Sequence, residues 1–119
     1  MKYNELVVWQ KSMDLVTDVY KSTAEFPADE RFGLISQIRR ASVSIPSNIA
    51  EGHGRKSTGA YINHLSISHG SLMELETQLQ IALRMSFIGN KSFTTLQSQT
   101  AEIGKMLNAL MNSLSSRGT

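Results

Sequence analysis

Residues 39–56 read Arg39-Arg40-Ala41-Ser42-Val43-Ser44-Ile45-Pro46-Ser47-Asn48-Ile49-Ala50-Glu51-Gly52-His53-Gly54-Arg55-Lys56, and the fold class turns on them. Leu34, Ile38, Ala41, Ile45 and Ile49 step by four, three, four and four, the ladder of one helix face. Pro46 falls inside that ladder. It removes an amide donor and crowds the carbonyl of Ser42, so a kink is expected there. Gly52 and Gly54 close the helix, and either can supply the positive φ of a C-cap. The same stretch holds four cations (Arg39, Arg40, Arg55, Lys56) against one acid, Glu51.

Outward from this core the punctuation is sparse: two prolines, and glycines that gather at 52, 54 and 59. Four helices are expected, over about 6–25, 28–52, 58–87 and 92–115. In the first, Leu6, Trp9, Met13, Val16 and Tyr20 form the main apolar stripe, and Val8, Leu15 and Val19 widen it. Phe26-Pro27 ends it, because a residue before proline is pushed out of the α region. The third, capped by Ser57 or Thr58, carries the row Tyr61, Leu65, Ser68, Leu72, Leu75, Leu79, Ala82 and Ser86. Gly70 interrupts it at a cost of about 1 kcal/mol relative to alanine. That suggests close approach by another backbone, opposite Arg40 and Ala41. Ile88-Gly89-Asn90-Lys91 is a turn, and Ser92 is the expected cap of the last helix. There Phe93, Leu96, Thr100, Ile103, Leu107, Leu110 and Leu114 keep a clean heptad spacing. Residues Ser115 to Thr119 are expected to fray. Together these make one domain over residues 1–119, an antiparallel up-down-up-down four-helix bundle.

Composition narrows the function classes. The 119 residues include no cysteine, which removes disulfides, thiolate metal sites and a cysteine nucleophile. No apolar run reaches the roughly 18 residues of a membrane span. The N-terminus lacks the apolar region of a signal peptide, so a soluble cytoplasmic protein is expected. The net charge of +2 is modest. Charged residues are 18% and Ser/Thr fill many polar positions, as if some helix surface were buried in an oligomer.

No constellation points to catalysis, a metal or a cofactor. Gly52-His53-Gly54-Arg55 follows a helix rather than a strand and lacks the Gly-Lys-Ser/Thr of a phosphate loop, so it reads as a turn. His64 and His69 are five apart, outside the spacing of a chelating helical pair. Glu74 and Glu76 diverge at helical pitch and form no acid/base pair. Trp9, Tyr20 and Tyr61 read as core. Arg39 and Arg40 have two readings: pairing with Glu74 or Glu76 on the third helix, or phosphate contact. Glu51 and Arg55 are an i,i+4 pair. Arg55 and Lys56, at the tip of the bundle, are the stronger phosphate candidates.

With these motifs placed, the chain resembles the four-helix bundle proteins encoded in intervening sequences of bacterial 23S ribosomal RNA genes. It is also similar to the accessory variability determinant proteins of diversity-generating retroelements. The resemblance rests on Val8-Trp9-Gln10-Lys11, Phe26-Pro27, Gly33-Leu34 with Gln37, and Arg39-Arg40-Ala41 through Ser44-Ile45-Pro46. Asn48-Ile49-Ala50-Glu51-Gly52, Gly54-Arg55 and Gly70-Ser71-Leu72 with Glu74-Leu75-Glu76-Thr77 complete it. Ser42, His64 and Ser68 depart from the pattern, where alanine, an aromatic and alanine are usual. The resemblance implies a homopentamer without known catalytic activity. In the retroelement branch it also implies partnership with RNA and a reverse transcriptase. Two functions are therefore expected: a non-catalytic oligomeric adaptor that binds RNA or an RNA–protein complex, or a purely structural protein–protein assembly module. Pro46, Asn48, Glu51, Gly52, Gly54, Gly70, Glu74, Glu76 and Trp9 are the expected structural or interface positions.

Overall fold

The computed structural model describes residues 1–117. Four α-helices follow one another: α1 (Val7–Thr23), α2 (Leu34–His53), α3 (Thr58–Arg84) and α4 (Asn90–Arg117). Short 3-10 turns occupy Tyr3–Glu5 and Ala28–Glu30, and no strand occurs among the described residues. The all-α class is as expected. Ser115–Arg117 belongs to α4, where fraying was expected; Gly118 and Thr119 lie outside the described residues.

The expected ladders of α2, α3 and α4 are the core. Ile38, Ile45, Ile49, Leu65, Leu72, Leu75, Leu79, Ile103 and Leu107 are essentially fully buried. At 25 cal/mol per Å² of apolar surface, each such side chain contributes about 1.5–3 kcal/mol of burial. Cross-helix hydrogen bonds tie the layers together. On α3, Ser68 Oγ donates to the Ile45 carbonyl at 2.9 Å and Ser71 Oγ to Ser44 Oγ at 2.8 Å. On α4, Thr100 Oγ1 donates to Glu76 at 3.0 Å and Gln99 Nε2 to Asp18 at 3.0 Å.

α1 buries the second of its two expected apolar sets more deeply than the main stripe. Val8, Ser12, Leu15, Val19 and Thr23 are buried, whereas Met13 and Tyr20 are each 41% exposed. The reason is local. Ser12 and Thr23 donate their hydroxyls to the backbone carbonyls of Val8 (2.7 Å) and Val19 (2.8 Å). Satisfied in this way, two polar residues take core positions that apolar periodicity alone misses.

The helix ends also differ. α2 begins at Leu34 rather than near 28, because Ala28–Glu30 forms a 3-10 turn and Gly33 stands as the N-cap. Neither Gly52 nor Gly54 takes a positive φ; Gly54 is right-handed, and its N–H reaches the carbonyls of Ala50 and Glu51, both at 3.2 Å. The left-handed residue is Ser86 (φ 62°), which ends α3 at Arg84; the Phe87 N–H then bonds back to Ala82 at 2.9 Å. α4 starts at Asn90, two residues before the expected cap, and Ser57 caps α3 through the Ala60 N–H at 3.1 Å.

The close approach expected at Gly70 is found at Gly52 instead. A Cβ on Gly70 would meet nothing within 4 Å, and the residue is exposed. A Cβ on Gly52 would lie 2.7 Å from His64 Cβ and 3.0 Å from the Tyr61 ring. The bonds Ser68–Ile45 and Ser71–Ser44 explain the error: Gly70 lies level with residues 44–45, not with Arg40 and Ala41, and points outward.

Candidate nucleic-acid interface

The lower end of α2 is closed on itself. Because Gly52 lacks a side chain, α3 sits close enough for His64 to reach the α2 surface. Asn48 Oδ1 lies 3.1 Å from His64 Nδ1, and Arg55 Nε donates to His64 Nε2 at 3.2 Å. Arginine can only donate, so Nε2 is the acceptor and the ring hydrogen is assigned to Nδ1, facing Asn48. Asn48 Nδ2 in turn donates to the Ser44 carbonyl at 2.9 Å and to Ser44 Oγ at 3.0 Å. A polar chain thus runs Arg55–His64–Asn48–Ser44–Ser71 along the α2–α3 seam. Glu51 does not pair with Arg55 as expected; its carboxylate lies 3.6 Å from His64 Nδ1. Lys56 is exposed in the turn beyond. Tyr61 packs edge-on to His53, with ring centroids 5.8 Å apart, and its burial pushes the phenol above its ordinary range.

The upper half of α2 is open. Arg39 turns to α1, not to α3. Its Nε donates to Thr23 Oγ1 at 2.9 Å, and its guanidinium lies 4.5 Å from the centre of the Tyr20 ring, a cation–π contact. Arg40 is exposed and makes no hydrogen bond or ion pair among the described residues. The acids expected to pair with these arginines are engaged elsewhere: Glu74 accepts from Gln78 (3.2 Å) and Glu76 from Thr100 (3.0 Å). Tyr20, expected in the core, is instead an outward-facing plate, while Trp9 and Tyr61 are half-buried.

Arg39 and Arg40 border an open groove of ≈ 600 Å³ between α1 and α2, which Arg31 and Phe32 also line. Ile35 and Val43 contribute apolar lining, and no carboxylate lines it. Phe32 is 91% exposed. Neither Arg31 nor Phe32 belongs to a helical stripe, so periodicity passed over both; the available signal was an aromatic beside an arginine in a loop. A second groove, ≈ 370 Å³ and mostly apolar, lies lower on the same seam between Trp9, Met13 and Val16 of α1 and Pro46, Ser47 and Ala50 of α2. Arg40 lies thirteen residues, about 20 Å of helix, above the end of α2 at His53, with Arg55 in the turn beyond. No group of three His, Asp or Glu among the described residues is placed to hold a metal ion. No helix among them is long and apolar enough to cross a membrane.

Four helices among the described residues, with Arg39 and Arg40 on the open face of the second, define an all-α protein with a cation-lined groove. The chain belongs to the 23S rRNA-intervening sequence protein family, which matches residues 4–109. It is similar to a protein of unknown function from the S23 ribosomal protein family of Bacteroides thetaiotaomicron, known from a crystal structure. The two share 27% identity over 88% of this chain and 98% of that one, with a TM-score of 0.81. No curated protein matches the chain.

Proposed function

We propose that the protein is a non-catalytic adaptor that assembles with copies of itself and binds RNA, or an RNA–protein complex, through the arginines of α2. One observation carries this reading. Arg40 is exposed and unpaired among the described residues, and Glu74 and Glu76 accept hydrogen bonds from Gln78 and Thr100 instead of from it. A guanidinium left free in this way matches a phosphate. Arg39, Lys56 and the N–H groups that Arg55 keeps beyond His64 are the further phosphate contacts. The family's association with ribosomal RNA genes supports the same class of partner.

The finer architecture belongs to this proposal. Between α2 and α3, residue numbers rise on one helix as they fall on the other (Ser68 with Ile45, Ser71 with Ser44), which supports an up-down-up-down order. Pro46 bends α2 without ending it, and the chains close into a cytoplasmic ring of five. The kinship with retroelement accessory proteins, and through it a reverse-transcriptase partner, is part of the same reading. Filter binding to RNA across a salt series tests the function. Sub-micromolar affinity that falls steeply with salt is expected, from release of condensed counterions. Weak binding indifferent to salt would remove the RNA role.

The apolar groove beside Trp9 and Pro46 favours a second reading, a structural assembly module without nucleic acid. Light scattering that shows an oligomer, together with absent RNA binding, would select it.

A further inference from the structure

We propose that the α1–α2 groove bordered by Arg31, Arg39 and Arg40 docks single-stranded RNA, with bases stacking on Phe32 and on the Arg39–Tyr20 pair. This rests on the reading that the protein binds RNA, and it names both the form of RNA and the place.

Charge selects an anionic occupant. Three guanidinium groups line the groove and no carboxylate does. Glu30, close by in the chain, has its carboxylate turned toward the Leu34 N–H at 3.2 Å. The aromatic groups then decide which anion. A phenylalanine that is 91% exposed contributes nothing to the core, and it shares the groove with Val43, 40% exposed, so the apolar surface there is more than one stray side chain. Tyr20 is held as a plate by the guanidinium 4.5 Å from its ring centre, and Arg39 itself is fixed by Thr23. The outer face of that guanidinium is a flat, cationic platform of the kind on which bases stack. In an A-form duplex the bases are stacked on each other and their faces are closed to side chains; a single strand presents them. A groove lined by both cations and planar groups therefore fits an unpaired strand. Phosphates lie along Arg31 and Arg40, and bases turn to Phe32 and Arg39.

Fluorescence anisotropy with a short oligouridine strand and with a blunt RNA duplex tests this, on wild type and Phe32→Ala. Circular dichroism melts verify that the variant is folded. Loss of one stacked base predicts roughly 5- to 150-fold weaker binding of the strand, with duplex affinity unchanged. An unaltered strand affinity, or an equal loss on both probes, overturns the proposal. So does a variant whose oligomeric mass changes while its RNA affinity does not, since the groove is then a contact between subunits. Wild-type protein that binds neither probe rejects the RNA reading itself; wild type that binds with Phe32→Ala unaffected rejects only this groove.

Discussion

Arginine stands within the upper half of α2 and in the turn just past its lower end, and it is used differently in the two places. At the lower end, Gly52 lets α3 approach until His64 accepts a hydrogen bond from Arg55 and faces Asn48. At the upper end, Arg40 meets no partner among the described residues, Arg39 stacks on Tyr20, and Phe32 stands nearly naked beside them. One end is satisfied by the fold and the other is left for something else. The difference follows from which side each arginine faces: Gly52 against His64 closes the α2–α3 side below, whereas above Arg39 turns to α1 and Arg40 to solvent.

The sharpest way to break this contrast is to fill the closed end. Gly52→Ala places a methyl 2.7 Å from His64 Cβ. Overpacking should cost about 1–3 kcal/mol, outweighing the better helix propensity of alanine. A urea melt no weaker than wild type would mean that the seam is looser than described. His64→Ala removes the acceptor of Arg55 and the partner of Asn48 and should cost about 1–2 kcal/mol by the same melt. Gly70→Ala has the opposite expected sign. Its Cβ points into open space, so helix propensity alone acts and a gain of about 1 kcal/mol is expected. A loss there would show that another subunit covers this face of α3.

At the open end, Phe32→Ala should shift stability by less than about 0.5 kcal/mol, since the ring touches little of the core. A larger loss of thermal stability would mean that Phe32 is packed in solution. The smallest effect belongs to the exposed pair of Lys11 and Glu102, 2.6 Å apart. Bonding to Glu102 raises the Lys11 pKa, so its contribution is full below the ordinary lysine value of 10.5 and fades as pH climbs through the higher folded value. Wild type and Glu102→Gln should therefore differ slightly at neutral pH and converge in strong alkali, as followed by urea melts. A gap that widens with alkali would assign the pair another role.

The residues show why some of this was legible in advance and some was not. Apolar ladders in α2, α3 and α4 repeat cleanly, so their buried faces follow from spacing. α1 misled because Ser12 and Thr23 are core residues whose hydroxyls bond to their own helix, a choice that hydrophobicity does not record. The close approach expected at Gly70 lies at Gly52, since which glycine faces a neighbour depends on register between helices. For the candidate site, the cations were visible as a cluster, but their partners were not. Arg39 found α1 sixteen residues back in the chain, and Arg55 found a histidine rather than Glu51.

The central division is that Arg40 of α2 serves RNA while Arg55, in the turn just past the helix, serves chiefly the fold. It is tested most directly by the salt dependence of RNA binding for Arg40→Glu and Arg55→Glu, measured side by side. The expected result is that Arg40→Glu weakens binding strongly and flattens the log–log salt slope by about 0.7 or more for a single strand, with Arg55→Glu changing it less. An Arg55→Glu variant that loses as much affinity and slope as Arg40→Glu, or an Arg40→Glu variant that loses neither, would contradict it.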